Sequence, residues 1–543
     1  TVENLYRADA ALQAELRRRL PEPLRQKWAS AFDELGAQAC GELALLLAEA
    51  ESNPPVHVPY DPWGRRVDEI RTAAAWDRLK EFSARHGIVA TGYDESLSDC
   101  RRVVQTALLH LFSASSATFS CPLAMTDAAA RVLLDIAPPS VRDRLVPRLL
   151  TRDPADFITS GQWMTERTGG SDVGQTETIA RPLERRGEED RYTLHGVKWF
   201  TSATTAEMAL TLARIDDGRG TPVEGSRGLT LFCVELQRGP GGELAGIQIN
   251  RLKDKLGTRA LPTAELTLDG VPATRLGEIG RGVANIAGML NITRYYNAVA
   301  STSNMALATF LARDYAQRRR AFGKLLADHP LHRRTLEALE GELAAGLAIC
   351  FELADLLGKV ETKTAEDTER RRLRALIPVA KLTLGKQVVA HASEALECFG
   401  GAGYIEDTGL PRLLRDAQVL PIWEGTTNVL SLDLLRAERK ERALSALLED
   451  LADRAERLPT ELAVDSIGAV RDGLRRTMVL VQRLAASDDA EALEAEARRV
   501  ALSSGYLAEA VYLAESAPFA PDGKQAAHWL AEFINNRLKG IAD

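Results

Sequence analysis

RYTLHGVKWFTSA, residues 191–203, is the stretch on which the fold class turns. Its β-branched and aromatic residues alternate in part with polar ones, a period-2 pattern that predicts a strand. MALTLARI, RGLTLFCVEL, GIQINRL and TAELTLDGV follow in the same texture, with Gly or Pro between them. ERRGEEDR and DDGRGTPVEGSRG read as solvated hairpin loops. Residues 156–281 are therefore expected to be a β domain. Working outward, the pattern changes on both sides. Residues 1–155 carry apolar side chains at spacings of three and four, as in ADAALQAELRRRL and DRLKEFSARHG. Within them SNPPVHVPYDPWG holds four prolines and reads as an extended loop. After residue 281 helical periodicity returns. GVANIAGMLNITRYYNAVASTSNMALATFLARDYAQRRR reads as one long helix or two abutting ones, and two further long helical runs follow at lengths typical of a bundle. The charge run TAEDTERRR between those two reads as a solvated loop and helix start. A last helical block, 441–543, is interrupted at SAPFAPDG. The expected class is α+β, in four parts: 1–155 helical, 156–281 β, 282–440 a four-helix bundle, and 441–543 additional helices.

Composition narrows the function. The chain has 543 residues, 45% of them hydrophobic, enough for several cores. A net charge of −8 argues against chain-wide attraction to nucleic acid or an anionic membrane. The six cysteines stand singly, without CxxC or metal-ligand spacing, a usage that suits a reducing cytoplasm. No metal site is expected. His329 and His332, around Pro330, read as polar residues of a turn. No apolar run approaches the length of a bilayer span, and no secretory signal is expected.

Four segments carry donors and flat side chains suited to a ligand. QWMTERTGGSDVGQT, residues 162–176, leads from a strand into a Gly169-Gly170-Ser171 turn whose N–H and hydroxyl groups can meet a ring carbonyl or a phosphate. In GVKWFTSA, residues 196–203, alternation puts Trp199 and Thr201 on one strand face. A flat heterocycle could lie there. DYAQRRRAFGKLL, residues 314–326, ends a helix with Arg318, Arg319 and Arg320, cations that could grip a diphosphate. CFGGAGYIED, residues 398–407, lets a ligand approach the backbone. Taken singly, each has an ordinary explanation as a hairpin, sheet packing, a helix C-terminus or a turn. A fifth segment, PIWEGTTNVL at 421–430, sets Glu424 among apolar residues. Burying an unpaired carboxylate is expensive. Its plain reading is a surface Glu at a junction, with Gly425 turning the chain and Thr426 or Thr427 capping the next helix.

Their order and spacing are more specific. The T-E-x-x-x-G-S-D loop, the K-W-x-T strand, the R-x-x-F-G-K turn, the F-G-G-x-G-Y segment and WEGTTN together resemble the acyl-CoA dehydrogenase family over roughly residues 156–436. NLYRADAAL, YDPWGRRVDEIR at 60–71, RLKDKLGTRA at 251–260 and the helices after 440 resemble its AidB-like branch. The resemblance implies FAD. It also implies contacts to FAD from Met164, Thr165, Gly170 and Ser171, with Trp199 and Phe200 against the isoalloxazine and Thr201 near its N5. Arg319, Phe322, Gly400 and Gly401 would serve the cofactor of a neighbouring subunit in a homotetramer. Gly425, Thr426 and Asn428 would line the adenosine-diphosphate end, and Trp423 would also contact the cofactor. Pro330 departs from the polar Gln of many relatives, which weakens the cross-subunit contact. Glu424 would be the general base that takes the α-proton of an acyl-CoA thioester while a hydride leaves Cβ for flavin N5. The thioester carbonyl would be polarised by the flavin ribityl and the Glu424 N–H. The alternative base position on the earlier helix is Thr293, which cannot serve. Arg294 and Arg436 are candidate substrate-positioning cations, with an ordinary helix-surface Arg as the other reading.

Three functions are consistent with these residues. The first is an FAD-dependent acyl-CoA dehydrogenase, with an acceptor such as electron-transfer flavoprotein. The second is an AidB-type FAD- and DNA-binding protein of the alkylation response. The third is a flavoprotein that sequesters acyl-CoA. DNA binding needs clustered cations, yet residues 441–543 hold 12 Lys or Arg against 18 Asp or Glu, a net of −6. RAERKER at 436–442 and the patch of Arg471, Arg475 and Arg476 are what remains for DNA, which ranks second.

Overall fold

The strands expected between residues 156 and 281 form and close on themselves in the computed structural model. It describes residues 2–218, 223–240, 242–458, 464–485 and 489–538. Part of the loop expected at 216–228, residues 219–222, lies outside them. The described chain divides into two units. One comprises residues 45–93 and 116–296, the other 1–44, 94–115 and 297–543.

The first unit is built on a seven-stranded sheet. A two-stranded sheet, β1 (Val56–Tyr60) and β2 (Arg66–Arg71), precedes it in the chain. The sheet strands are β3 (Ser160–Trp163), β4 (Ile179–Pro182), β5 (Arg191–Ser202), β6 (Met208–Ile215), β7 (Leu229–Glu235), β8 (Ile247–Leu252) and β9 (Thr263–Leu276). The ring runs β6, β4, β5, β9, β7 and back to β6, so the sheet is a barrel. β3 lies parallel to the start of β6, and β8 pairs with β9. Closure pairs the five ring strands on both sides. The interior is filled by Trp163, Leu194, Phe232, Leu266 and Leu268, all 2% exposed or less. The helix Ser120–Ile136 packs against β3, and its Thr126 Oγ1 accepts from Ser160 N at 3.1 Å.

The hairpin β1–β2 corrects the extended-loop expectation for 52–64. Pro59 lacks an N–H and stands where the register shifts between Val58 and Tyr60, a bulge that needs no donor from it. Asp68, in the left-handed region at φ +44, accepts from Ile249 N at 3.2 Å and fastens the hairpin to β8.

The second unit is helical. Pro330–Glu361, Asp367–Glu397 and Thr427–Glu441 are its main bundle helices, with the later part of Ala287–Ala316. The run at 282–320 is a short helix, Gly282–Asn285, abutting a long one. The charge run begins a helix through a capping box in which Glu366 and Glu369 satisfy each other's orphan N–H groups. Gly346 lets three helices meet, since a Cβ there would stand 2.9 Å from Leu384 and 3.2 Å from Thr302. The added helix Ala490–Ser516 packs on Pro330–Glu361, Asp367–Glu397 and Thr427–Glu441. Glu352, 2% exposed, ties these parts together. It meets Arg19 at 2.9 Å, Arg372 at 3.2 Å and Arg454 at 2.7 Å. Burial would raise its carboxyl, but the guanidiniums outweigh this and hold it far below the usual range.

Candidate active site

In the barrel unit the site is a turn fastened from beneath. Glu166 and Gly169 exchange backbone hydrogen bonds of 3.1 and 3.2 Å, which closes the turn after β3. The Glu166 side chain points inward. It accepts from Lys198 Nζ at 2.7 Å, from Glu177 N at 2.6 Å and from the Thr178 hydroxyl. Lys198, fully buried, also donates to Leu212 O at 3.0 Å. Burial raises the Glu166 carboxyl, but the Lys198 ammonium and the surrounding donors outweigh it and leave the group below its ordinary value. This ion pair joins the T-E-x-x-x-G-S-D turn to the K-W-x-T strand. Neither residue was singled out from the sequence. A signal was present, because the alternation Tyr192, Leu194, Gly196 carries Lys198 to the barrel interior, where an ammonium requires a partner.

Above the pair, Trp199 N donates to Thr165 O at 3.0 Å. A Cβ on Gly170 would stand 3.2 Å from Thr165 Cγ2, so Gly170 backs onto Thr165 while it and Ser171 are exposed. Met164 is 7% exposed and closes the base of the loop. Two cations stand over the Trp199 ring, Lys253 Nζ at 3.6 Å from the centroid and the Arg167 guanidinium carbon at 5.4 Å. Phe200, half exposed, shares Lys253 at 4.6 Å.

The face expected for Thr201 is corrected. Lys198 pairs with Leu266 and Thr201 with Ala264, two apart on β9, so a bulge at 199–200 breaks the alternation. Thr201 is turned inside, fully buried, and its hydroxyl donates to Ala264 O at 2.8 Å. Arg294 is half-buried, and Thr293 next to it is 3% exposed with its hydroxyl on Leu290 O at 3.2 Å.

In the helical unit the WEGTTN segment follows the helix Pro411–Ala417. Trp423 N bonds Val419 O at 2.9 Å, and the chain then enters the left-handed region twice, at Glu424 (φ +59) and Gly425 (φ +104). Such a φ is costly for a residue with a Cβ. Thr426 is the N-cap by backbone, yet its side chain makes no capping bond, which corrects the capping expectation. The N–H groups that open the helix Thr427–Glu441 thus lack a side-chain cap. Asn428 Oδ1 accepts from Arg498 Nη1 at 3.3 Å. Arg436 is exposed on the same helix.

Arg319, Phe322, Gly400 and Gly401 belong to the same unit, next in sequence to an apolar cluster in which the rings of Tyr315 and Phe399 meet tilted at 5.0 Å. Arg319 is held by backbone bonds to Tyr315 O and from Leu326 N. Phe322 is 98% exposed on the tip of a two-residue hairpin turn at φ +48. Gly400 takes φ +59, and both Gly400 and Gly401 are exposed.

Each unit's donor set by itself suits one part of a dinucleotide flavin. A half-buried indole and an exposed Gly-Ser turn suit a planar heterocycle with ring carbonyls, and a helix start without a side-chain cap suits a diphosphate.

Three domain families match the chain in succession. They are the AidB N-terminal domain over residues 1–154, the acyl-CoA dehydrogenase middle domain over 161–271, and the acyl-CoA dehydrogenase C-terminal domain over 280–438. Acyl-CoA dehydrogenase family member 11 of Caenorhabditis elegans is 45% identical over 92% of this chain and 81% of its own length. The chain belongs to the acyl-CoA dehydrogenase family. A putative acyl-CoA dehydrogenase AidB of Escherichia coli is 32% identical, covering 82% of this chain and 80% of that protein. Among solved structures, C. elegans ACDH-11 in complex with C11-CoA superposes with a TM-score of 0.93 at 42% identity, covering 99% of this chain and 92% of that one. The AidB N-terminal match and the AidB relative bear out the AidB-like resemblance, which reaches nearly the whole chain, and residues after 438 lie outside the three domain matches. Among the described residues no helix is long and apolar enough to cross a membrane.

Proposed function

We propose that this member of the acyl-CoA dehydrogenase family is an FAD-dependent dehydrogenase that introduces a Cα–Cβ double bond into an acyl-CoA thioester. The carrying observation is Glu424, held in a left-handed backbone immediately before a helix start whose N-cap side chain makes no bond. FAD, when bound, supplies the hydride acceptor. Glu424 takes the α-proton, which makes it the general base. Its backbone N–H is a donor for the thioester carbonyl, so the α-proton becomes more acidic as charge develops on that oxygen. Thr165, Gly170 and Ser171, with Met164 beneath, hold the flavin edge, and Trp199 and Phe200 bound its ring. Thr201, turned into the barrel with its proton given to Ala264 O, supports the strand behind Trp199 rather than meeting the flavin N5 directly. Trp423, Gly425, Thr426, Asn428 and the uncapped helix start hold the diphosphate side, while Arg294 and Arg436 orient the substrate. The acyl-CoA in the ACDH-11 structure supports the substrate class.

The proposed assembly is a homotetramer in which Arg319, Phe322, Gly400 and Gly401 serve a neighbouring subunit's cofactor. The nearly full exposure of Phe322 and Tyr404 supports an interface there. The electron acceptor is an electron-transfer flavoprotein or similar carrier, and the compartment is the cytoplasm, supported by six free cysteines. The DNA reading loses ground, because Arg475 and Arg476 are held by Asp472, and Arg471 by Glu456 at 3.4 Å.

The test is anaerobic titration of the purified flavoprotein with acyl-CoAs of increasing chain length. Flavin absorbance should bleach with at least one of them. A yellow protein that no acyl-CoA bleaches would favour sequestration, and a protein that cannot be loaded with FAD would remove the proposal.

A further inference from the structure

The 31-residue helix Asp367–Glu397 touches the base-bearing segment at two points one turn apart. At Gly385 the approach is to Leu420 and Pro421. A Cβ there would stand 3.1 Å from Leu420 O and 3.2 Å from Pro421 Cα, so only a glycine lets the backbones come this close without displacement. At Lys381 the contact is a hydrogen bond. Its Nζ donates to Gly425 O at 2.6 Å, and the side chain is fully buried. Between these two points the chain makes its turn through Trp423, Glu424 and Gly425.

A buried ammonium is expensive and is kept only where it satisfies something that would otherwise be worse. One group it satisfies here is the carbonyl that follows two consecutive left-handed residues. One of them, Glu424, has a Cβ and pays a conformational penalty at φ +59 that its own sequence does not offset. Without a donor fixed at Gly425 O, the 425–426 peptide would be free to turn, and the left-handed pair Glu424 and Gly425 could relax together toward an extended backbone. That rotation would swing its carboxylate away from its present direction. Lys386, five residues on, is exposed on the same helix, so the inward lysine is a property of position 381 and not of the helix as a whole.

We propose that Lys381 is a positioning residue for Glu424: it locks the left-handed turn through the Gly425 carbonyl and so sets where the base stands. This rests on the dehydrogenase reading for its kinetic consequence, but not for its structural one. Lys381 touches neither substrate nor cofactor in this account; it acts through the backbone of the residue that does.

The experiment compares the FAD-loaded parent with K381M, K386M, E424Q and the double variant K381M/E424Q. By hydrogen–deuterium exchange, amides in the 423–427 segment should exchange at least about tenfold faster in K381M and unchanged in K386M. In stopped-flow reduction K381M should slow the flavin's bleaching by about 10–100-fold, the scale of a small misplacement of a reacting group, with acyl-CoA affinity within about twofold of the parent. In the E424Q background K381M should slow the residual rate less than about twofold, because there is no base left to misplace. Should K381M fail to fold, K381Q, which keeps a shorter neutral donor, carries the same comparisons. Unchanged exchange at 423–427 would overturn the proposal, as would an equal slowing by K381M with and without Glu424. If the parent itself reduces with no acyl-CoA, the dehydrogenase reading falls, and the exchange result still decides whether Lys381 locks the turn.

Discussion

The turn of the barrel unit and the turn of the helical unit are each held by a buried lysine, but by different means. At the first, Lys198 pairs with the Glu166 carboxylate, so one charge is balanced by another and the loop above is fixed through side chains. At the second, Lys381 grips the Gly425 carbonyl, and Glu424 beside it is the proposed base. Two similar-looking Glu residues are thus held differently. Glu166 is 4% exposed and is consumed by the scaffold, whereas Glu424 stands on a strained backbone that the scaffold keeps in place.

The largest effect should separate the two glutamates by kind. E424Q keeps size and shape but removes the proton acceptor, so flavin reduction by acyl-CoA should fall about 10²–10⁴-fold or more. FAD content and melting temperature should stay at the parental level, and E424D should be intermediate. A parental reduction rate in E424Q, read by stopped-flow absorbance, would erase the distinction.

K198M should show the converse. It leaves Glu166 buried and unpaired, a loss of about 3–5 kcal/mol, seen as a fall in melting temperature on the order of 10 °C for a unit of this size and as reduced FAD content. E166Q/K198M, with neither charge, should recover part of the loss. Equal melting of K198M and parent in differential scanning calorimetry would show that the pair holds nothing.

Acid sharpens the same contrast. The folded-state pKa of Glu166 is depressed, so its stabilisation is complete above the unfolded value near 4.3 and is lost as pH falls toward the folded one. The melting-temperature gap between parent and E166Q should therefore narrow progressively below about pH 5. A gap that widens on acidification would contradict the assignment.

Smaller effects are expected at the surface. F322D places a charge on the exposed tip at 98% exposure and should shift light-scattering mass toward smaller assemblies, with FAD content falling severalfold. An unchanged mass would move the interface elsewhere. R475A/R476A should change duplex DNA affinity less than about twofold, since Asp472 already holds both guanidiniums. A steep loss of binding would restore the DNA reading.

Much of this was legible in the residues. Period-2 alternation in MALTLARI and RGLTLFCVEL is enough to call for paired strands, because a strand has only two faces and each must find its solvent. Threes and fours on either side call for helices for the same reason. The motif set and its spacing are local properties of the chain, and they point to the family without any contact being known. Three things were not legible, and each is a matter of what lies opposite. Four prolines in 52–64 read as loop, but Pro59 occupies a bulge that only the pairing of β1 with β2 creates. Alternation put Thr201 beside Trp199, but an extra residue relative to β9 turned it inside. Lys198 and Lys381 look alike in sequence as cations in apolar runs. Their partners, Glu166 and the Gly425 carbonyl, stand 32 and 44 residues away in the chain. Composition and periodicity fix which residues must be buried; only the folded chain decides what each buried charge is paired with, because the energy of a buried charge depends on its partner's distance and not on its neighbours in sequence.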